Sequence, residues 1–274
     1  MPAEPSAVRD PLPGAIRPLW DAPPGVTALM SGRQGGVSLA PFDSLNLRPA
    51  GLPGGDPDDP AALQENQRRF AEALGARPIW LNQVHGADVL RLHAGTPLQA
   101  LPQADASICT EPGLACVVLV ADCLPVLLCT GDGSGVGAAH AGWRGLAAGV
   151  LDNSVAALCQ ATGREPADLL AWLGPCIGST AFEVDEDVLR AFGADPAQPN
   201  PGLFQPIRRA DGSPAWLANL PALARQRLLA LGLHRVSGGD WCTVGDASRF
   251  FSFRRDRRTG RLAAGIALRS PRPL

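Results

Sequence analysis

Lysine is absent from this sequence: all 24 residues in the lysine-plus-arginine count are arginine, and there is no tyrosine either. Without lysine, the protein can form no Schiff base with a substrate and has no lysine general base. Phosphate or carboxylate groups must then be bound by arginine side chains or by backbone N–H groups. The absence of lysine therefore excludes one class of covalent catalysis and directs the search for anion-binding residues to arginine.

Long apolar runs and a strong excess of one charge are also missing. The longest apolar segment, residues 114–121, has the length of a strand and is too short to span a membrane. Residues 1–24 contain no apolar stretch of the signal-peptide type. The net charge of −2 and the pI near 6.1 predict no surface suited to polyanions. We therefore expect a cytoplasmic protein with no membrane or nucleic-acid partner and a flexible N-terminal tail over residues 1–24.

Cysteine is present in an odd number, seven, at widely scattered positions. In a chain without an export signal, this pattern favours free thiols over a disulfide framework. One of these thiols is then available as a metal ligand.

Apolar periodicity and turn residues predict interleaved strands and helices. The segment LACVVLVA at 114–121 is apolar on both faces, which is typical of a fully buried central strand. Further strands are predicted over residues 78–84, 126–129, 136–139, 169–173, 250–253 and 262–268. Helices are predicted over residues 61–74, 145–161, 185–192 and 217–231. Because some predicted strands follow one another directly, we expect a mixed α/β fold with a partly antiparallel sheet in one catalytic domain, residues 25–274.

Two of the four histidines, His85 and His140, are predicted at strand ends, and Cys123 follows the buried strand between them. Two imidazoles and one thiolate would leave one tetrahedral position of a zinc ion open, as in catalytic zinc sites. No closely spaced zinc motif joins the three residues, so two structural histidines and an ordinary buried cysteine are the alternative. His93 and His234 lie among arginine, leucine and small residues, and we interpret them as structural or exposed.

Three arginines are candidate anion ligands. Arg144 lies in HAGWRGL at 140–146, where a predicted helix begins, and helix N-termini bind anions through backbone N–H groups. Arg33 lies in SGRQGGVS, and Arg254 in FFSFRRD. The alternatives are a glycine-rich turn at 140–146 and a solvated charged face at 250–256.

Several segments together resemble the bacterial YfiH family, also called laccase-domain or polyphenol-oxidase-like proteins. The resemblance extends from about Thr27 to Arg269. The matching segments are GGVS at 35–38, SLNL at 44–47, QVHG at 83–86, ADCLPVLL at 121–128, HAGWRGL at 140–146, GPCIG at 174–178, FEV at 182–184 and FFSFRRD at 250–256.

This resemblance implies a single layered α/β/β/α domain whose zinc ligands are His85, Cys123 and His140. It also implies purine nucleoside phosphorylase activity toward adenosine, inosine, guanosine and methylthioadenosine, together with adenosine deaminase activity. Zinc lowers the pKa of a bound water, which suits deamination. The expected partners are a purine nucleoside and phosphate, and we expect a monomer or a homodimer.

The implied reactions assign roles to further residues. Catalysis is assigned to Cys123, His85, His140 and Asp122. Deamination needs a carboxylate as proton shuttle, for which Asp122 is one candidate and Glu183 another. Substrate binding is assigned to Arg33, Asn46, Gln83, Arg144 and Arg254.

Three other functions are open. A copper-dependent polyphenol oxidase could use the same three ligands, since copper binds N/S sites tightly, but four histidines cannot supply both a type-1 site and a trinuclear cluster. A metal-free hydrolase would use Cys123 as nucleophile and one of the histidines as base. A non-enzymatic sensor would keep the metal for structure alone.

Overall fold

The computed structural model describes residues 12–97 and 101–269. Its strands are β1 (Val26–Met30), β2 (Arg77–Ile79), β3 (Val89–Leu92), β4 (Ala106–Cys109), β5 (Leu114–Val120), β6 (Leu124–Thr130), β7 (Val136–Ala141), β8 (Leu169–Leu173), β9 (Glu183–Val184), β10 (Phe204–Arg208), β11 (Pro214–Ala218), β12 (Arg235–Gly238) and β13 (Leu262–Leu268). Its α-helices are α1 (Pro60–Leu74), α2 (Trp143–Ala147), α3 (Val150–Thr162), α4 (Glu186–Ala191), α5 (Leu220–Ala230) and α6 (Phe253–Asp256).

Two large sheets pack face to face. The first has the strand order β1-β13-β5-β2, and the second has the order β12-β8-β6-β7-β4-β3. In the first sheet only the edge pair β2–β5 is parallel and the other pairs are antiparallel. In the second sheet both edge pairs are parallel and the inner pairs are antiparallel. A small sheet, β10-β11-β9, is hydrogen-bonded to neither, and its apolar side chains pack in the same cluster as those of the second sheet. The predicted mixed α/β fold with partly antiparallel strands is confirmed.

Along the central strands of both sheets, successive side chains point to opposite faces, and this alternation creates three apolar layers. In β5, Cys116, Val118 and Val120 face the second sheet, whereas Ala115, Val117 and Leu119 face α1. In β6, Leu127 and Cys129 face the first sheet, whereas Val126 and Leu128 face α3 and α5. Because both faces of these strands are covered, every residue of β5 and β6 is buried. The resulting order of layers is helix, sheet, sheet, helix.

Four predicted elements differ from expectation. The helix predicted over 217–231 begins at Leu220, because residues 217 and 218 belong to β11. The helix predicted over 145–161 is two helices, because Gly149 adopts a left-handed conformation at φ 92° between α2 and α3. The strand predicted over 78–84 ends at Ile79: beyond it, Asn82 forms only an isolated bridge with Gln103, and the backbone N–H groups of residues 84–86 are bound by a side chain described below. Phe250 and Phe251 are buried as expected, but Ser252 caps α6 by accepting a hydrogen bond from Arg255 N, so the strand predicted over 250–253 does not form.

The N-terminal tail predicted over residues 1–24 is described only from residue 12. Leu12 is fully buried, and Ile16 forms an isolated antiparallel bridge with Met30 of β1. The part of this segment that the structure describes therefore packs against the first sheet, and residues 1–11 lie outside the described residues. Within the described ranges, no helix is both long and apolar enough to cross a membrane.

Candidate metal centre and adjoining cavity

The three predicted ligands lie together at one end of the space between the two sheets. His140 is the penultimate residue of β7 and lies on the strand face that also carries Val136 and Ala138. Cys123 lies in the turn where the chain leaves β5 in the first sheet and enters β6 in the second. His85 approaches from the loop after β2, with its Nε2 atom 3.9 Å from the Cys123 Sγ atom.

The donor set suits a metal ion of zinc type. The nitrogen and sulfur atoms that His85, Cys123 and His140 can offer all lie within 4.8 Å of one another. A tetrahedral zinc ion with bonds of roughly 2.0–2.3 Å keeps its ligand atoms roughly 3.5 Å apart, so small side-chain adjustments would suffice. Within residues 12–97 and 101–269, no other cluster of His, Cys, Asp and Glu side chains meets this spacing.

Asp105, which the sequence analysis missed, holds both histidines. Its carboxylate is fully buried and lies 2.8 Å from His140 Nδ1. The same carboxylate accepts hydrogen bonds from the backbone N–H groups of Val84 (3.1 Å), His85 (2.9 Å) and Gly86 (2.7 Å). Because Nδ1 of His140 is engaged by Asp105, Nε2 is the ring atom left to bind a metal.

The charges at the centre stabilise one another. Burial alone would raise the pKa of the Cys123 thiol, but the neighbouring His140 and His85 lower this pKa to about 6. Burial opposes protonation of His140, yet Cys123 and Asp105 raise the pKa of His140 to about 9. Burial likewise opposes ionisation of Asp105, but hydrogen bonds from His140 and Gly86 hold the pKa of Asp105 below its ordinary value. Without metal, these shifts favour a thiolate on Cys123 beside an imidazolium on His140.

The glycines of HAGWRGL allow two loops to approach closely. A Cβ atom on Gly142 would lie 2.9 Å from Cys123 Sγ and 3.2 Å from His85 Cδ2. A Cβ atom on Gly145 would lie 2.7 Å from the carbonyl oxygen of Gly86. Only glycine fits these contacts without displacing the ligands, so the glycines have a packing role at the centre.

Asp122 connects the Cys123 turn to two other loops. One of its carboxylate oxygens accepts a hydrogen bond from Thr243 Oγ1 at 2.5 Å, and the other accepts one from Arg254 N at 2.6 Å. The side chain is buried, and the residue adopts φ 99°. Asp122 therefore fixes the backbone immediately before Cys123. Glu183, the other candidate shuttle, pairs with Arg209 at 2.6 Å.

A cavity of about 360 Å³ opens beside the three ligands, all of which line it. Two arginines missed by the sequence analysis, Arg48 and Arg261, line the same cavity. Asn46 positions both of them, because its side-chain oxygen accepts hydrogen bonds from Arg48 N (3.3 Å) and Arg261 N (2.9 Å). Gln83 also lines the cavity, but its amide is engaged at both ends by the backbone of Leu119.

The three arginines predicted to bind anions lie outside this cavity. Arg33 donates to the carbonyl oxygens of Asp43 and Ala247 in a separate surface depression. Arg144 is exposed, and its guanidinium stacks on the Trp143 ring at 4.3 Å. Arg254 donates to the carbonyl oxygen of Glu183 through both terminal nitrogens.

The other two histidines are not part of the centre. His93 accepts a hydrogen bond from Gly95 N at 3.1 Å within a turn, and His234 directly precedes the edge strand β12. Among the histidines of the described chain, only His85 and His140 form a ring contact, with centroids 4.9 Å apart.

The fold and the three-ligand centre define a layered α/β protein with a candidate metal site between its sheets. The chain belongs to the family described as multi-copper polyphenol oxidoreductase laccase, whose model matches residues 27–269. The predicted resemblance to the YfiH family is thereby confirmed over the residues expected.

Named relatives and solved structures agree with this membership. The chain is 47% identical over 255 residues to "Purine nucleoside phosphorylase YfiH" of Escherichia coli, covering 92% of this chain and 98% of the relative. It is 46% identical to "Purine nucleoside phosphorylase PA4543" of Pseudomonas aeruginosa, with the same coverage of 92% and 98%. The crystal structure of Neisseria meningitidis protein NMB0706 matches with a TM-score of 0.82 at 40% identity, covering 94% of this chain and 100% of that one.

Proposed function

We propose that this protein is a zinc-dependent purine nucleoside phosphorylase that also deaminates adenosine. Its substrates would be adenosine, inosine, guanosine and methylthioadenosine, and its phosphorolysis products the free base and ribose (or methylthioribose) 1-phosphate. One observation carries the proposal: a single cavity contains the three-ligand centre and two arginines positioned by one asparagine. The names of the relatives support the phosphorylase part of this proposal.

Arg48 and Arg261 are the proposed phosphate ligands, in place of Arg33, Arg144 and Arg254. Arg48 uses Nη2 to donate to loop carbonyls that include Leu52 O at 2.7 Å, and Arg261 uses Nη1 to donate to Thr259 O at 3.1 Å. Their other guanidinium N–H groups make no hydrogen bond within the part of the chain that the structure describes. Burial lowers the pKa of both arginines, yet arginine stays charged in proteins. Two rigidly held cations therefore face the cavity.

The reaction assigns separate tasks to these groups. Phosphorolysis forms a bond from a phosphate oxygen to the sugar C1′ atom as the bond from C1′ to the base breaks and the base takes up a proton. Arg48 and Arg261 would hold the phosphate against the sugar, which lowers the entropic cost of the attack. Zinc bound by His85, Cys123 and His140 would supply a Lewis acid and lower the pKa of water for deamination. Asp122, with both oxygens engaged, would position the Cys123 turn.

Chromatography of the products from the four nucleosides, with and without phosphate, tests the proposal. We expect phosphate-dependent release of free base and phosphate-independent formation of inosine from adenosine. Absence of free base from every nucleoside at saturating phosphate would refute the phosphorylase assignment. Absence of inosine would refute the deaminase assignment alone.

A Cys-His-Asp hydrolase is the second candidate, because the geometry of the metal-free centre favours it. Cys123 with its lowered pKa, His140 and the orienting Asp105 are the groups that an activated cysteine nucleophile needs. A thiolate bound to zinc would be a poor nucleophile, so the two candidates exclude each other. Activity that resists chelators but is abolished by iodoacetamide would establish the hydrolase.

Copper catalysis is the third candidate, carried by the family description. Copper could replace zinc at the same N/S ligands. With His93 and His234 outside the centre, however, the described residues supply no second copper cluster. Metal analysis of protein purified without added metal, together with a phenol oxidation assay, separates zinc from copper.

We also propose a cytoplasmic location and a monomeric or homodimeric state. None of the seven cysteines forms a disulfide, which is the pattern of proteins kept in a reducing compartment. Cell fractionation and light scattering test these two assignments.

A further inference from the structure

A second, smaller cavity adjoins the first at Cys123. Its volume is about 140 Å³, and it shares Ala121, Cys123 and Phe253 with the larger cavity. Its remaining walls are mainly apolar and come from Trp143, Ile177, Phe182 and Leu220. Sites that enclose a whole small molecule usually measure roughly 300–1,000 Å³, so this cavity has room for a fragment of a substrate.

The polar groups at this second cavity already have partners. Both carboxylate oxygens of Asp122 accept hydrogen bonds from the protein. The Arg254 guanidinium donates to the carbonyl of Glu183 and lies 5.6 Å from the centre of the Phe182 ring. With four apolar walls and one arginine already bonded to Glu183, the cavity favours a flat, weakly polar group, whereas the larger cavity has two arginines for an anion.

Phe253 stands on the boundary between the two cavities and is 48% exposed. Single exposed apolar residues are common, but the backbone on both sides of this one is held by hydrogen bonds. Its own helix is capped by Ser252, and the next backbone N–H, that of Arg254, donates to Asp122 at 2.6 Å. The Arg257 guanidinium lies 5.7 Å from the ring centroid. An aromatic ring on a well-held backbone thus lines both cavities together with Cys123.

We propose that the smaller cavity receives the purine base of the nucleoside and that the Phe253 ring stacks on this base. The inference rests on the proposed function, because it divides one substrate between two adjoining cavities: the base lies on the apolar side and the phosphate on the arginine side. The sugar then lies between them, beside Cys123. Stacking on an aromatic ring tolerates different bases, since every purine has a π face, so one site can accept several nucleosides.

Calorimetric titration with free adenine, in the absence of phosphate, tests the inference without any turnover. We expect Phe253→Ala to weaken adenine binding roughly tenfold, because the loss of one base–aromatic stacking contact typically lowers the affinity by about that factor or more. Phe253→Tyr, which keeps the ring, should restore binding to within about twofold. Leu39→Ala is the matched control, since Leu39 is 81% exposed and lines neither cavity.

Steady-state kinetics provide the second arm. Phe253→Ala should raise the KM for adenosine and leave the KM for phosphate unchanged. Unchanged adenine affinity in Phe253→Ala would overturn the inference. A loss confined to methylthioadenosine would also overturn it, since the cavity would then hold the 5′ substituent of the sugar. If wild-type protein binds adenine but phosphorolyses no nucleoside, the proposed function fails while the base site stands.

Discussion

Exchanging Asp105 for asparagine replaces one carboxylate oxygen by an amino group at the residue that holds both histidines. One oxygen of Asp105 faces His140 Nδ1 and His85 N, and the other faces Val84 N and Gly86 N. Asparagine can accept hydrogen bonds on one side only. The amide can be placed in two orientations, and both are unfavourable for different reasons.

With the amino group toward Val84 and Gly86, two part-buried backbone N–H groups lose their acceptor. Each such loss costs about 1–3 kcal/mol, so the free energy of unfolding should fall by about 2–6 kcal/mol. With the amino group toward His140, the amide would donate to Nδ1 and leave the ring proton on Nε2. That tautomer cannot bind a metal through Nε2, and loss of a partner to a metal-binding histidine typically weakens affinity about 10- to 100-fold.

Two measurements separate these effects. Urea unfolding of the metal-free protein reports the free energy of unfolding, and competition with a chromogenic chelator reports zinc affinity. Asp88→Asn is the matched control, because Asp88 is exposed near the same loop and uses only its backbone carbonyl to bind Asp105 N and Ala106 N. Wild-type zinc affinity together with wild-type stability in Asp105→Asn would refute the role assigned to Asp105.

Three further predictions follow from the cavity and the centre. Arg261→Ala should raise the KM for phosphate about 10- to 100-fold, because a charge-assisted hydrogen bond contributes about 1.5–3 kcal/mol. Arg144→Ala is the control: Arg144 is exposed and lies outside the cavity, so the KM for phosphate should not change. Equal effects of the two substitutions would contradict the assignment. In metal-free protein, the rate at which iodoacetamide alkylates Cys123 should increase with pH and reach half its plateau near pH 6, as measured by peptide mass spectrometry. The reason is that only the thiolate reacts and that the pKa of the thiol is lowered to about 6. A midpoint near pH 9 would show that the neighbouring histidines do not stabilise the thiolate. Gly142→Ala should reduce the zinc content of the protein without abolishing folding, because the new Cβ atom would lie 2.9 Å from Cys123 Sγ. Gly25→Ala is the control: Gly25 has open space around it, so this variant should retain its full zinc content.

The sequence predicted those site residues that carry their own local signal. Cys123 and His140 could be found because each stands at the end of a recognisable strand, whereas His85 was found beside Gly86 although the strand predicted before it ends at Ile79. The buried strand at 114–121 could be found because it lacks polar residues on either face. Both features depend on neighbours in the chain, which a single sequence displays directly.

Residues that act through distant contacts could not be found in this way. Asp105 lies 20 positions from His85 and 35 from His140, and no local pattern distinguishes it from other acidic residues. Arg48 and Arg261 lie near opposite ends of the sequence. They line one cavity because the Asn46 side chain accepts hydrogen bonds from the backbone N–H groups of both. Arg144 was favoured by its position before a helix, but its side chain stacks on its own neighbour, Trp143.

The location of the centre also determines when it can form. Its ligands come from a loop, from the turn between the two sheets and from the end of β7, and the buried Asp105 joins two of these segments. An unfolded chain offers no such arrangement, so tight metal binding must wait until the sheets have docked. The ion then stabilises only the folded state, by an amount that grows with the free metal concentration. The supply of metal would thus influence how long the folded protein survives.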